Sequence, residues 1–284
     1  MAHLSGLREF KARLHAVRDR LPVDCLLCGT RAHGGLCEYC RHAVCSSMLA
    51  GASRCPRCDL VLPVTTAGNE KEQAAALGGS RSEACHDMAA NADIVACPDC
   101  EDLSPAFERV IAAFDYAWPG ELLIHRLKLQ GRLVCAPVIT GLLAARYAGI
   151  LAEAGPRLWD CTHTLVVAVP ASRHSIVLRG FNPAAEVGRG LARRLGLAWR
   201  PDLLIRAREG RHQKGLNRLS RRASVEGLYS CLDEVAGREI LVVDDVMTTG
   251  STLGAIAKVF KDKGALKVWA AVAARTPSRR DGVG

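Results

Sequence analysis

Two adjacent aspartates, Asp244 and Asp245, follow an apolar run and precede a turn rich in hydroxyl groups, in the segment ILVVDDVMTTGSTL (240–253). The apolar run predicts a strand buried on both faces, and the residues from 252 onward predict an amphipathic helix. A turn in that position presents free N–H groups and the positive end of a helix dipole to an anion. Gly250 would let the backbone approach a ligand closely. Further hydroxyl donors come from Thr248, Thr249, Ser251 and Thr252. The turn therefore suits a phosphate monoester.

The two carboxylates need a different ligand group, because phosphate alone would repel them. The vicinal hydroxyls of a ribose fit well, since each carboxylate oxygen can accept a hydroxyl hydrogen bond. A bound Mg²⁺ ion is a second option. Asp244, Asp245 and the turn together predict a site for a ribose 5-phosphate. The alternative is an ordinary strand-to-helix turn capped by a threonine, which an isolated Asp-Asp pair would favour but the full order of the segment does not.

A second chemically informative segment is VVAVPASRHSIVLRGFNPAAE (166–186). Its apolar residues predict a buried strand, and Ala171, Ser172 and Arg173 predict a tight turn after it. Small residues expose backbone N–H groups, and a guanidinium can bind phosphate oxygens in pairs, so this turn is a candidate diphosphate site. Arg179 would add a further positive charge. The alternative is a surface loop with solvated arginines.

Cysteine is the most unusual feature of the composition. The chain has 13 cysteines, an odd number that excludes complete internal disulfide pairing. Four C-x-x-C pairs occur, a pattern that usually indicates metal binding in a reducing environment. The first two pairs predict one closed, structural zinc site, whose ligands are Cys25, Cys28, Cys37 and Cys40. The other two pairs lie on either side of a long insertion and predict a second such site, whose ligands are Cys55, Cys58, Cys97 and Cys100.

Alternatives to this ligand assignment stay open. Redox-active C-x-x-C pairs normally begin a helix in a βαβ unit, a context that is absent here. The four C-x-x-C pairs could also be assigned to the two zinc sites in an interleaved order. The spare ligand candidates, which we interpret as bystanders, are Cys45, Cys85 and His33. The cysteines of the later region, which we interpret as core or surface thiols, are Cys135, Cys161 and Cys231.

From residue 104 onward, strand and helix patterns alternate. The apolar runs that predict strands lie at 107–118, 164–170, 238–245 and 266–275, with a short one near 203–207. The helical patterns lie at 120–132, 138–154, 183–195 and 252–264. This alternation predicts an α/β fold with a doubly wound, mainly parallel sheet. Such sheets bind ligands beyond the carboxyl ends of their strands, where both candidate turns fall.

These patterns divide the chain into four regions. We predict an amphipathic N-terminal surface helix, two zinc ribbons with an insertion that lacks a core pattern, the α/β domain, and a frayed tail. Their bounds are 1–20, 21–103 with the insertion at 63–96, 104–275 and 276–284. The first region lacks the apolar core of a signal peptide, and no stretch is long and apolar enough to predict a membrane span. We therefore expect a cytoplasmic protein.

The excess of basic residues is concentrated in one stretch of the chain. The formal net charge is +9, whereas residues 173–222 alone contain 13 Lys and Arg against 3 Asp and Glu. This excess can hold the phosphates of a small ligand or a nucleic-acid backbone, or it can form a solvated basic face. Phe181 and Trp199 are the only aromatic residues of the stretch, so base stacking is not indicated. Within it, the polar segment 207–224 predicts a loop beside the site.

The order of apolar run, acidic pair, T-T-G-S-T turn and helix resembles the phosphoribosyl pyrophosphate (PRPP) motif of type I phosphoribosyltransferases. Joined to two zinc ribbons, it resembles the ComF family. The resemblance spans almost the whole chain and includes CLLCG, LCEYC, CPRC, AFERVIAAFDYAWPGELLIHRLKLQGR, VPASRHSIVLRGFNPAAE, HQKGLNRLSRRASVEG and LVVDDVMTTGSTL. It departs from the family pattern at Pro183, where Gln is usual, at Ser224, where Asn is usual, and in its longer insertion.

The resemblance assigns roles to the two candidate turns. Asp244 and Asp245 would hold the ribose hydroxyls of PRPP, with Mg²⁺ bound alongside. The 5-phosphate would be bound by Thr248, Thr249, Gly250, Ser251 and Thr252. The pyrophosphate would be bound by Ala171, Ser172, Arg173 and Arg179. The segment at 207–224 occupies the place of the loop that closes over the substrate in this fold, and such a closure would exclude water.

The resemblance implies two functions from different classes. The first is a Mg²⁺-PRPP-binding phosphoribosyltransferase whose acceptor the sequence does not identify. Thr248 replaces the aspartate that handles the base proton in 6-oxopurine salvage enzymes, so hypoxanthine or guanine salvage is not expected. The second is a protein that handles single-stranded DNA together with the DNA-uptake machinery of natural competence, with PRPP or a nucleotide as a regulatory ligand. The sequence does not give the oligomeric state.

Overall fold

The computed structural model describes residues 22–49, 54–62, 97–154, 162–208 and 227–277. The strands are β1 (Pro22–Asp24), β2 (Arg31–His33), β3 (Arg109–Asp115), β4 (Thr164–Ala168), β5 (Ala198–Trp199), β6 (Leu204–Arg206), β7 (Tyr229–Cys231), β8 (Glu239–Met247) and β9 (Lys267–Arg275). The helices are α1 (Glu38–Leu49), α2 (Pro98–Leu103), α3 (Glu121–Lys128), α4 (Cys135–Ala154), α5 (Arg173–Arg179), α6 (Pro183–Leu195) and α7 (Ser251–Asp262).

Five of the strands form one parallel sheet in the order β3–β9–β8–β4–β5. Alternate residues of β8 face opposite sides of the sheet, as the period of a strand requires. Leu241 and Val243 pack into a core with α3, α4 and α6, whereas Ile240 and Val242 pack into a second core with α7 and the β6–β7 hairpin. Helices therefore cover both faces, and the predicted doubly wound α/β fold is confirmed.

Three local features differ from the sequence predictions. Strand β8 extends to Met247, so the turn before α7 is shorter than the predicted one. The strand predicted near 203–207 forms β6, but it pairs antiparallel with β7 outside the main sheet. An additional helix, α5, directly follows Ser172. Its apolar residues are mostly exposed, which explains why the periodicity of a buried face does not reveal it.

The cysteine-rich region packs against the α/β domain. The chain after Arg54 lies along β3, where Val110 N donates to Arg57 O at 2.7 Å and Ala112 N donates to Asp59 Oδ2 at 2.9 Å. These bonds cover the edge strand of the sheet, which would otherwise expose unpaired backbone groups. The second cysteine group is thus part of the same core as β3 and α7.

Several predicted segments lie outside the described residues: the N-terminal helix, the insertion at 63–96 with Cys85, the residue Cys161, most of the loop at 207–224 with Ser224, and most of the tail. Within the part of the chain that the structure describes, no helix is both long and apolar enough to cross a membrane.

Candidate functional site

The candidate site lies where β8 and β4 end side by side. Ala168 pairs with Val243, and Val169 N donates to Val243 O at 2.9 Å, so the segments that follow the two strands leave the sheet at the same edge. From β8 the chain continues to β9 on one side, whereas from β4 it continues to β5 on the other. This reversal creates the crevice in which open α/β sheets bind ligands.

The acidic pair lies near the carboxyl end of β8, which continues to Met247. Asp244 and Asp245 are both partly buried, and the backbone N–H of Asp245 donates to Asp244 Oδ1 at 2.8 Å. Burial, with the adjacent Asp245 carboxylate as the next cause, raises the pKa of Asp244 to about 8. Without a ligand, this carboxyl group therefore tends to hold its proton at neutral pH. A ligand that needs two carboxylates must displace that proton.

Lys128 is the site residue that the sequence analysis missed. Its Nζ lies 2.8 Å from Asp245 Oδ1, and it also lowers the pKa of Asp244 against the larger effect of burial. The helical pattern of α3 places Lys128 near the edge of the apolar face, which is a position that a solvated lysine also occupies. A contact between residues so distant in the chain leaves no mark in a single sequence.

The turn between β8 and α7 is short and contains a glycine and several hydroxyl groups. Gly250 adopts a φ of +80°, and a Cβ at this position would lie 2.6 Å from Met247 Cε. The positive φ favours glycine, whereas Met247 Cε is the end of a flexible side chain that can move aside. Thr249 Oγ1 and Ser251 Oγ are 2.9 Å apart, and Ser251 N donates to Thr249 Oγ1 at 3.4 Å. Thr248 is exposed, and Ser251 and Thr252 begin α7, so donors of the first helical turn face the same opening.

The turn after β4 is organised by its own side chains. Ser172 is buried and caps α5 by accepting from Ser175 N at 3.1 Å, while Ala171 is half-buried before it. Arg173 is exposed as the first residue of α5, not as part of an open turn as predicted, and Arg179 is its last residue. Asn182 Nδ2 donates to Val169 O at 2.9 Å and fixes the chain back onto the end of β4.

Pro183, the departure from the family pattern, is a buried first residue of α6. A proline is favourable in this position because its fixed φ suits the helix and its missing N–H would have no partner there. Asn182 caps the same helix by accepting from Ala184 N at 3.1 Å.

The β6–β7 hairpin carries Tyr229, whose pKa the Asp244 carboxylate influences. Tyr229 is buried under the guanidinium of Arg206, whose Cζ lies 5.9 Å from the ring centroid. Burial raises the pKa of Tyr229, and the Asp244 carboxylate adds to that rise. The residues between β6 and β7 include the segment predicted to close over the ligand.

The eight predicted metal ligands form two groups with the predicted membership. Within each group the four sulfur atoms lie within 4.8 Å of one another. Sulfur–sulfur distances of 3.6 Å (Cys28 to Cys37), 3.5 Å (Cys58 to Cys97) and 3.7 Å (Cys55 to Cys100) are close to the ~3.8 Å expected between thiolates bound tetrahedrally to zinc. Four sulfur ligands in this arrangement select zinc or an iron–sulfur centre over hard cations such as Mg²⁺.

Backbone geometry supports the same assignment. The N–H groups of Cys40 and Cys58 donate to Cys37 Sγ at 3.4 Å and Cys55 Sγ at 3.5 Å. Such bonds stabilise the charge of thiolate ligands. In the first group, the hydroxyl of Thr30 lowers the pKa of Cys28 to about 6, which favours the thiolate that a metal requires.

The sequence is similar to one known domain family and to several known proteins. Residues 183–283 match the phosphoribosyl transferase domain family. The chain is 28% identical over 254 residues to the DNA utilization protein YhgH of Escherichia coli O157:H7, an alignment covering 88% of this chain and 96% of that protein. It is also 27% identical over 183 residues to Competence protein F of Haemophilus influenzae, covering 61% of this chain and 76% of that protein.

Proposed function

Because the chain belongs to the ComF family of phosphoribosyltransferase-domain proteins, we propose that it binds PRPP with Mg²⁺ at the carboxyl edge of the sheet and transfers the phosphoribosyl group to an acceptor. The observation that carries this proposal is the position of the acidic pair. Asp244 and Asp245 lie near the carboxyl end of β8, at the reversal of strand order, and β8 leads through Met247 into a glycine turn and a helix N-terminus.

Each part of PRPP has a matching group. The carboxylates of Asp244 and Asp245 accept hydrogen bonds from the ribose hydroxyls. The 5-phosphate is bound by the N–H and hydroxyl groups of the turn, which comprises Thr248, Thr249, Gly250, Ser251 and Thr252.

The pyrophosphate is bound at the end of β4. Its oxygens accept from the backbone after Ala171 and from the guanidinium groups of Arg173 and Arg179, with Ser172 fixing the geometry. When bound, Mg²⁺ would neutralise part of the pyrophosphate charge and stabilise it as a leaving group. Lys128 contributes a positive charge to the same crevice.

The reaction that this arrangement supports is a substitution at C1 of the ribose. The bond from C1 to the pyrophosphate oxygen breaks, the acceptor forms a bond to C1, and the proton lost by the acceptor passes to solvent or to a basic group. Thr248 cannot serve as that base near neutral pH, so 6-oxopurine salvage is not part of the proposal. The two cysteine groups are structural, since a closed Cys₄ site has no open coordination position.

A second candidate function is single-stranded DNA handling with the uptake machinery, with PRPP as a regulatory ligand. The printed names of the relatives refer to DNA utilization and competence. The basic excess of the stretch 173–222 suits a phosphate backbone. This function predicts binding to single-stranded DNA that weakens steeply with salt and with charge reversal at Arg218, Arg221 and Arg222.

Phosphorus NMR distinguishes the two functions. PRPP and Mg²⁺ are incubated with the zinc-loaded protein and, in turn, a panel of nucleobases and single-stranded oligonucleotides. Pyrophosphate that forms with one acceptor, and is lost in an Asp244→Ala, Asp245→Ala variant, identifies a transferase and its acceptor. PRPP signals that broaden without turnover favour the regulatory function. Signals unchanged by the protein would refute PRPP binding.

A further inference from the structure

Arg275, the last residue of β9, is the largest fully buried side chain of the described residues, with 1% of its surface exposed. Its guanidinium makes four hydrogen bonds to protein acceptors. Nε donates to Cys58 O at 3.2 Å, Nη2 donates to Asp99 Oδ2 at 2.7 Å, and Nη1 donates to Thr276 O at 2.9 Å and to Thr248 O. A guanidinium is tolerated in the core because its planar donors have acceptors on several sides.

These acceptors belong to two sites that are separate in the chain. Cys58 is a member of the second cysteine group, and Asp99 lies between its members Cys97 and Cys100. Thr248 is the first residue of the turn to which we assign the 5-phosphate. A backbone hydrogen bond from Thr276 N to Met247 O, at 2.9 Å, also links the residue after β9 to the residue before this turn. One buried side chain thus joins the predicted metal site to the predicted phosphate turn.

The metal-dependent side of this junction has little intrinsic stability. Helix α2, which carries Asp99, has six residues and no side-chain cap at its N-terminus. A helix this short is not stable by itself and needs an external restraint. Ligation of Cys97 and Cys100 to the same ion as Cys55 and Cys58 supplies that restraint, because it fixes α2 against the Cys55–Cys58 loop.

We propose that Arg275 is a positioning residue that couples metal occupancy of the second cysteine group to the shape of the phosphate turn. With metal bound, Cys58 O and Asp99 hold the guanidinium against Thr248 O, and the turn keeps one conformation. Without metal, both acceptors are released and the turn loses its support. The consequence for PRPP affinity rests on the proposed function, whereas the consequence for the turn itself does not. The coupling is reciprocal, so a ligand that orders the turn also tightens metal binding.

The chain offers two matched controls. Arg54 is also a largely buried arginine at the second cysteine group, but its Nη2 pairs with Asp115 at 2.7 Å and its Nη1 donates to Asp59 O at 2.8 Å. It therefore joins the group to β3 rather than to the turn. The first cysteine group packs on the other core, where a Cβ on Gly35 would lie 2.6 Å from Val138 of α4. Asp115 pairs with Arg275 in the sheet, so Arg54→Lys disturbs the neighbourhood of Arg275 while keeping the guanidinium that donates to Thr248 O, and loss of the first cysteine group disturbs the other core.

The test is hydrogen–deuterium exchange of residues 246–254 in the zinc-loaded full chain, without ligand. The variants are Arg275→Lys, Asp99→Asn and Cys100→Ser, with Arg54→Lys and Cys28→Ser as controls. We expect the first three to accelerate exchange in this segment about tenfold, the effect of losing one or two net hydrogen bonds. The controls keep the wild-type rate. The double variant Arg275→Lys, Cys100→Ser should exchange little faster than either single variant, because both substitutions break the same connection.

Wild-type exchange in Arg275→Lys, or equal acceleration in Arg54→Lys, would overturn the proposal. Asp99→Asn keeps all eight ligands, so it tests the junction even where Cys100→Ser does not fold. PRPP affinity is measured on the same samples and should fall about tenfold in the first three variants. A wild-type chain that binds no PRPP would refute the proposed function. The exchange rates would still show whether the second cysteine group is coupled to the phosphate turn.

Discussion

The Nζ atom of Lys128 lies 2.8 Å from Asp245 Oδ1, so the ligand-free acidic pair already has a positive charge beside it. Lys128 is the last residue of α3, a helix that packs on the sheet through Leu123, Ile124 and Leu127. The packing of α3 therefore sets the position of the ammonium group. PRPP, which carries negative charge at both ends, would enter a crevice in which the charge of the aspartates is partly neutralised.

Replacing Lys128 should weaken PRPP binding. In Lys128→Ala the negative charge of Asp245 is no longer balanced, and we expect the affinity for Mg²⁺-PRPP to fall about tenfold, or ~1.4 kcal/mol. Arg126→Ala removes a positive charge from the same helix without the contact to Asp245 and should bind nearly as wild type. Isothermal titration calorimetry measures both. Equal losses in the two variants would indicate a general charge effect instead.

Asp244 should make the free protein less stable as the pH rises. Its pKa is raised to about 8 in the folded state by burial and by Asp245, whereas the unfolded value is near 4. Between these values the folded state holds a proton that the unfolded state has lost. The associated stability is complete below the unfolded pKa and is lost as the pH rises through about 8, with a slope of at most ~1.4 kcal/mol per pH unit.

Urea unfolding of the zinc-loaded protein from pH 6 to pH 9 tests this prediction. Asp244→Asn, which keeps the size of the side chain but does not titrate, should show a flatter dependence on pH than the wild type. A pH dependence that is identical in the two proteins would place the pKa of Asp244 in its ordinary range.

The conformation of Gly250 leads to a prediction with an internal control. Gly250→Ala places a Cβ against Met247 at a φ of +80° and should cost ~1–2 kcal/mol of stability together with PRPP affinity. Gly254 lies within α7, the helix that Gly250 precedes, and a Cβ on Gly254 would meet nothing within 4 Å. Gly254→Ala should therefore stabilise the protein by ~0.5–1 kcal/mol. Thermal unfolding gives both values, and a Gly250→Ala variant with wild-type stability and affinity would contradict the turn described above.

Zinc content tests the two cysteine groups separately. The purified protein should contain two zinc ions per chain, and Cys28→Ser and Cys58→Ser should each lose one of them. We expect the loss at Cys58 to lower the unfolding temperature more, because the second group is buried in the core beside β3 and Arg275. Zinc quantified with a chromogenic chelator gives the stoichiometry. Two ions retained in either variant would disprove the ligand assignment.

Local patterns predict much of this fold. Strands β8 and β9 and helices α6 and α7 are found close to their predicted positions, because each has a buried run or a regular apolar face. The C-x-x-C spacing also identifies the four cysteine pairs, because it fixes each pair in one tight loop, but it leaves open which pairs share a site, and the structure brings them together in the order of the chain.

Tertiary contacts account for what the sequence did not predict. Helix α5 has no buried apolar face, so its existence depends on the Ser172 cap. Lys128 acquires its role through its contact with Asp245, which lies far away in the chain. Arg275 acquires its role through its hydrogen bonds to Thr248 and Asp99, which are also distant in the chain. In the sequence, Arg275 is an arginine at the end of a predicted strand, and such arginines are usually exposed to solvent.

Calorimetric titration of Mg²⁺-PRPP into the zinc-loaded protein tests the central claim most directly. The comparison is with an Asp244→Asn, Asp245→Asn variant, which keeps the shape of the acidic pair and removes its charge. We predict saturable binding at one site per chain in the wild type and a loss of about 100-fold in the variant, the effect of two charged hydrogen bonds. Absence of binding to the wild type, or equal binding by the variant, would contradict the account.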